Sequence, residues 1–445
     1  MLRKHAFIAL NRFGLGARPG DIERVARNPR GWIERQIGPS ARVPAELARL
    51  PSAEDSIRVF LRARRRGVGA IKRSFKTTLK DRYLAEINAR ALAHVRTRDP
   101  VRERLVAFWS NHFTVSAKRF FVAPLVGPYE REAIRPHVFG KFEDMLLAVV
   151  RHPAMLLYLD NAASIGPRSM GGRFTRRGLN ENLAREILEL HTLGVKGGYK
   201  QADVRALAKL LTGWSVEGLG KRQPMTGRYH FVGLAHEPGA KTLLGKRYDQ
   251  GGEAEGVAAL KALAHHPATA RFVATKLARH FIADKPPSAA IRILERNFLE
   301  TGGDLAALSR TLIGLDAVWR APLPKVKSPY DYTISIFRAL AFDRVPPKGY
   351  YPAFYLLGQL PFAAPSPKGW PDTAADWLAP EALMRRVEFA HAIAQRLPRR
   401  IDSVAVMEAS IGPVAKPATR RAIARAPSAR EAMALLFASP EFQRR

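Results

Sequence analysis

Cysteine is absent from the chain. Disulfides, thiolate metal sites and cysteine nucleophiles are therefore excluded. Long apolar runs are missing too. "MLLAVV" (145–150) and "AMLLYL" (154–159) fall far short of the ~20 residues that span a bilayer, so no transmembrane segment is expected. The N-terminal "AFIAL" (6–10) follows two basic residues, but it is too short for a signal peptide and no small-x-small cleavage site follows it. It reads as the first helix of the fold, with a cytoplasmic location as the expectation. No G-x-S-x-G, P-loop, Rossmann glycine pattern or Cys/His metal spacing occurs. "GLG" (14–16) lacks a preceding strand and is no nucleotide signal.

Acidic residues are scarce: 39 Asp and Glu stand against 73 Lys and Arg, a formal charge of +34. The excess is clustered. Residues 58–82 carry ten basic side chains, among them Arg62, Arg64, Arg65, Arg66, Lys72 and Arg73, against one acid, Asp81. Lys416, Arg420, Arg421, Arg425 and Arg430 form a second basic patch. Such patches suit an acidic polymer or nucleic acid. They equally suit a solvated helical face, and the first lacks regularly interleaved aromatics for base stacking.

The apolar periodicity is helical almost throughout. Helices are predicted over 51–66, opened by a Ser52–Asp55 capping box, and over 101–109, 142–151, 266–282, 303–314, 328–342, 381–397 and 428–439. One strand pair is predicted, "GRYHFVG" (227–233) with "AKTLLGKRY" (240–248). Gly/Pro-rich linkers fall at 163–178, 216–228, 343–353 and 361–372. The expected fold is mainly α, an irregular multi-helix globular fold with one small β hairpin. A single unit spans 1–445, with an N-terminal helical half (1–215), a hairpin insertion (216–250) and a C-terminal helical half (251–445).

"NENLAREILELHTLGVKGGY" (180–199) concentrates carboxylates, amides and a histidine on an apolar helical repeat. At ~100° per residue, Leu183, Ile187 and Leu190 form the apolar stripe, while Asn182, Glu186 and Glu189 share one flank. His191 falls roughly 140–160° away from both glutamates, so "ELH" cannot grip one metal. Paired carboxylates can do acid/base work when burial and repulsion split their pKa values. The competing reading is a solvated flank with Arg185 bridging to Glu189. Gly194 is expected to cap the helix, and Gly197–Gly198 to turn the chain into the next one.

Other candidates follow from local pattern. Leu105, Trp109 and His112 share a helical face, which favours a core histidine, and Asn111 can offer an amide to a pocket. Asp160, at the C-terminal end of an apolar helix, opposes the dipole and so needs a specific partner, such as a cap of the next segment; Asn161 follows it. "SPKGWPDTAADWL" (366–378) makes a stiff loop around Trp370, with Asp372 or Thr373 able to cap the following helix. His230 and His236 can meet across the predicted hairpin, but no third ligand is placed.

Seven segments together resemble one bacterial family: "ALNRFGLGARPGD" (9–21), "RERLVAFWSNHFTVS" (102–116), "RHPAMLLYLDNAAS" (151–164), "NENLAREILELHTLGVKGGYKQADVRALAKLLTGW" (180–214), "HEPGAKTLLGK" (236–246), "SPKGWPDTAADWL" (366–378) and "ASPEFQRR" (438–445). This is similar to the domain-of-unknown-function family numbered eighteen-hundred, in order and over nearly the whole chain. The resemblance implies a mainly helical fold. It implies no activity, cofactor or catalytic set. It suggests a sulfatase-like partner, because such proteins are often encoded beside one, and an extracytoplasmic location as the alternative, because many members carry signal peptides. Lys200 departs from the Thr or Ser expected before "QADV", which weakens an N-cap.

Three functions are expected on these grounds. The first is a helical binding or accessory protein with a polar pocket near Asn182, Glu186, Glu189, Asp160 and His112, lined by Asn111, Asn161, Trp214 and Trp370, with no cofactor and no metal. The second is a hydrolase using Glu186 or Glu189 with His112. The third is a binder of an acidic polymer through Arg62–Arg66, Lys72 and Arg73.

Overall fold

The computed structural model describes residues 1–39, 43–175, 178–220, 224–320 and 323–445. Parts of two expected linkers, residues 176–177 and 221–223, lie outside the described residues. The fold is mainly α. Every predicted helix forms, at Ala53–Arg65, Pro100–His112, Phe142–Arg151, Pro267–Phe281, Leu305–Gly314, Pro329–Ala339, Pro380–Ala394 and Ala429–Ala438. Local chemistry sets their starts. Ser52 Oγ accepts from the Asp55 amide and the Asp55 carboxylate accepts from the Ser52 amide, the expected reciprocal box. Ser328 and Ser428 cap one-sidedly, their hydroxyl oxygens accepting from the amides of Asp331 and Glu431. Proline at the first helical turn opens the helices at Pro100, Pro267 and Pro329. Among the described residues no helix is long and apolar enough to cross a membrane.

The strand prediction needs correction. Strand β1 (Trp214–Val216) pairs antiparallel with β2 (Tyr229–Phe231), and β3 (Lys241–Leu243) pairs with β4 (Lys246–Tyr248). The second predicted segment therefore folds on itself, and the first reaches back to Trp214. Gly245, at φ +77°, makes the tight β3–β4 turn that a longer strand would not allow. His230 sits opposite Ser215, and His236 is buried with its Nδ1 2.8 Å from the Thr212 carbonyl and its Nε2 on Glu255. The two histidines do not meet.

Three apolar clusters organise the core, the smallest of them joining Leu15, Ile87, Val95, Tyr330, Ile334 and Phe354; the two larger ones set the frame. One runs from Ala6 to Trp319 and passes through β1 and β3 without a break. The other joins Phe7 to the helices Pro329–Ala339, Pro380–Ala394 and Ala429–Ala438. Ion pairs buried between helices tie the frame together: Arg90 with Glu130 at 2.9 Å, Arg135 with Glu103 at 2.6 and 2.8 Å, and Arg104 with Asp331 at 2.6 Å. A charge so deeply buried needs its partner, because desolvation is otherwise uncompensated.

Candidate functional site

The helix Pro100–His112 carries a hydrophobic and a polar message at once. Leu105, Trp109 and His112 are buried together, as their spacing implies. His112 Nε2 lies 3.0 Å from the His191 carbonyl oxygen, which makes Nε2–H the donor and leaves Nδ1, which has no partner, as the lone-pair nitrogen. Burial, with Lys276 and His191 adding to it, holds this imidazole well below its usual range. It is a neutral ring, braced by Phe113 and Trp109.

His191 arrives there through a departure from regular helix. Asn182–Glu186 is α-helical, but Ile187–His191 is a π turn in which the Thr192 amide donates to the Ile187 carbonyl at 2.9 Å. Gly194 then ends the segment at φ +78°, as expected, and a Cβ there would meet the Phe272 ring at 2.7 Å. His191 is fully buried, and burial lowers it to about 3. Glu189 is half-buried and faces elsewhere, 3.9 Å from Arg185. The glutamates and His191 therefore occupy different surroundings, as the angular argument requires, although the helix is not regular.

A cavity of about 570 Å³ opens beside this turn. Its walls come from Pro100–His112, the turn around Glu189, the helix Pro267–Phe281, the start of Pro329–Ala339, the loop 359–376 and the C-terminal Arg445. Asn111 builds one edge: its Nδ2 donates to the Trp370 carbonyl at 2.9 Å and its Oδ1 accepts from the Trp370 amide at 2.7 Å. That reciprocal bond fixes the proline-rich loop on the helix, with Gly369 at φ +86° packed directly against Asn111. Trp370 lines the cavity and its buried Nε1 has no partner.

A charge network closes one end. Asp331 accepts from Arg104 at 2.6 Å and lies 3.8 Å from Arg445. Asp372 accepts from His280 Nδ1 at 2.7 Å and lies 3.4 Å from Lys325 and 3.6 Å from Arg445. Burial raises the Asp331 carboxyl, but Arg104 and Arg445 outweigh it and bring it down to about 2. His280 is lowered to about 4, first by burial and against the pull of Asp372. Asp372 is thus no helix cap. The Ala374 amide donates instead to Asp284 at 2.7 Å, and Thr373 bonds Asp376.

Of the sequence candidates, His112, Asn111, Glu189 and Trp370 line this cavity. Glu186 does not. It is half-buried near Tyr158 and Glu189, and its pKa is raised by burial first and by Glu189 second. Asn182 is exposed on the outer face. Asp160 has the specific partner its position demanded, but it is Arg119, bonded at 2.6 and 2.8 Å, and not a cap. Asn161 is buried and donates to the carbonyls of Leu211 and Trp214, pinning the start of β1. Trp214 is a core residue under Arg151 and away from the cavity lining. Sequence reading missed Lys276, His280, Asp331 and Arg445. The i, i+4 spacing of Lys276 and His280 on a helix was the available signal. Among the described residues no group of three or more His, Asp or Glu side chains is placed to hold a metal ion.

The basic cluster lies apart from the cavity. Arg62, Arg64, Arg65, Arg66, Lys72 and Arg73 are all exposed. Phe60 and Phe75, from the same stretch of chain, stack edge to face at 6.2 Å, and Phe75 stacks on Phe120 at 4.7 Å, with Phe120 61 % exposed.

Fold and cavity together define a class: a mainly α protein in which remote segments build a chamber of apolar walls with a few polar groups, closed at one end by buried ion pairs. Within that class the chain belongs to the family described as "Protein of unknown function (DUF1800)", whose model matches residues 8–444. No curated protein and no solved structure matches it.

Proposed function

We propose that the chain is a helical binding or accessory protein whose ligand sits in the cavity between Asn111, Glu189 and Trp370. One observation carries this reading. Three of the segments that carry the family resemblance, around residues 102–116, 180–195 and 366–376, line a single chamber of about 570 Å³ although they lie far apart in the chain. That volume is in the range of small-molecule sites, and the lining mixes apolar walls with a few placed polar groups, as such sites do. Native mass spectrometry of the protein incubated with a small-molecule extract tests it. The reading predicts a retained ligand that is lost from Ala107→Trp, a variant that fills the chamber from its wall; adducts unchanged in that variant would remove the cavity from the account.

A sulfatase-like partner belongs to the same proposal. Pull-down from native extract should recover one, and recovery of the chain alone counts against it. A hydrolase reading draws support from Glu189 and His112 lining one cavity, with His112 neutral and its Nδ1 free. Under that reading Glu189→Gln abolishes turnover while Glu186→Gln does not. The exposed arginines, in a stretch that also carries the stacked Phe60 and Phe75, favour acidic-polymer binding as a separate surface property.

A further inference from the structure

The four acids of the cavity wall are already engaged. Asp331 serves Arg104, Asp372 serves His280, Lys325 and Arg445, Asp376 bonds Thr373, and Glu189 lies nearest Arg185. Three cations of the same wall have no carboxylate within ion-pair distance among the described residues: Lys276, Arg279 and Lys368. Two come from the helix Pro267–Phe281 and one from the stiff loop that Asn111 holds down. Lys276 is half-buried, and Arg279 and Lys368 are exposed. Burial first, then Arg279 and Lys368, against the pull of Asp372, lower Lys276 to about 8. Lys276 Nζ also lies 5.6 Å from the centre of the Phe272 ring, half withdrawn from water. The chamber is thus lined by three cations that its own acids leave unpaired.

Building on the cavity reading, we infer that Lys276, Arg279 and Lys368 form a binding site for a phosphate monoester. Three cations from two elements match the three terminal oxygens and the near-double negative charge of that group. A singly charged carboxylate or sulfate ester would leave excess positive charge uncompensated. The rest of the ligand then lies against Phe108, Val126 and Phe272, the apolar wall.

Calorimetric titration of the full chain with phenyl phosphate, phenyl sulfate and phenol, at fixed ionic strength and pH 7.5, tests the inference. Phenyl phosphate should bind at least about tenfold tighter than phenyl sulfate. Lys276→Gln and, separately, Lys368→Gln on the exposed loop should each weaken it by about tenfold, the worth of a charge-assisted bond. Lys72→Gln, outside the cavity, should leave it unchanged. Affinity should also fall as pH rises past about 8, where Lys276 loses its proton. Absent binding, equal binding of the sulfate ester, or equal loss in Lys72→Gln overturns the inference. Phenol bound in the chamber with phenyl phosphate excluded overturns it too, and leaves the ligand-binding reading standing.

Discussion

At the scale of single residues, burial without water decides most of the chemistry. Glu103 meets Arg135 through two bonds in a site where both are almost fully buried. Glu103→Ala leaves the guanidinium alone, and urea unfolding should show a loss of about 3–5 kcal/mol. Such a residue is hard to assign from sequence: "RERL" reads as a polar helix face, and only the partner 32 positions away makes Glu103 a core residue. The histidines tell the same story. His191 titrates near 3 when folded and near 6.5 when unfolded, so the unfolded state holds more protons between those values. Stability from this ring is therefore present above pH 6.5 and is lost as pH falls toward 3. At pH 5 the loss is about 2 kcal/mol. His191→Leu should flatten the stability profile between pH 6.5 and 4 in chemical denaturation; an unchanged slope would show that His191 is not held neutral.

At the scale of elements, the periodicity of apolar residues located the helices because each needs only its own stripe and its own caps. Ser52, Pro100 and Pro267 act within one turn of themselves. What could not be read locally was the π turn at Ile187–His191, which leaves the His191 carbonyl 3.0 Å from His112 Nε2 and runs into Gly194, packed on Phe272. The strand pairing failed for the same reason: Trp214, anchored by Asn161, selected Phe231 from outside the predicted hairpin. Gly369 tests how rigidly the loop is held. Its φ of +86° is unfavourable for any side chain, and a Cβ would stand 2.5 Å from the Asn111 carbonyl. Gly369→Ala should cost about 1–3 kcal/mol and displace Trp370, read as a red-shifted indole emission relative to the parent. A fully folded variant with unchanged emission would mean that the Asn111 clamp does not fix the loop.

At the scale of the molecule, the basic patch and the cavity lie apart. The basic patch was visible in sequence as a run of residues, and it is exposed as a run would be. The stacking of Phe75 on Phe120 was not, because Phe120 comes from another segment. Combined Arg62→Gln, Arg64→Gln and Arg66→Gln should remove three phosphate contacts and lower the salt slope of binding to single-stranded DNA by roughly 2; the cavity ligand should be unaffected. The chamber itself was half legible. His112, Asn111, Glu189 and Trp370 stood out as polar groups inside apolar patterns. Glu186, Asn182 and Asp160 looked equivalent on one helix or at one helix end, and only tertiary packing sent them elsewhere.

The central claim is that function resides in the chamber joined by these remote segments. Amide hydrogen exchange of the full chain, before and after incubation with a small-molecule extract from native cells, addresses it directly. The account predicts new protection confined to the cavity-lining stretches around 111–115, 189–195 and 366–373. Protection restricted to 62–82, with the chamber unchanged, would contradict it.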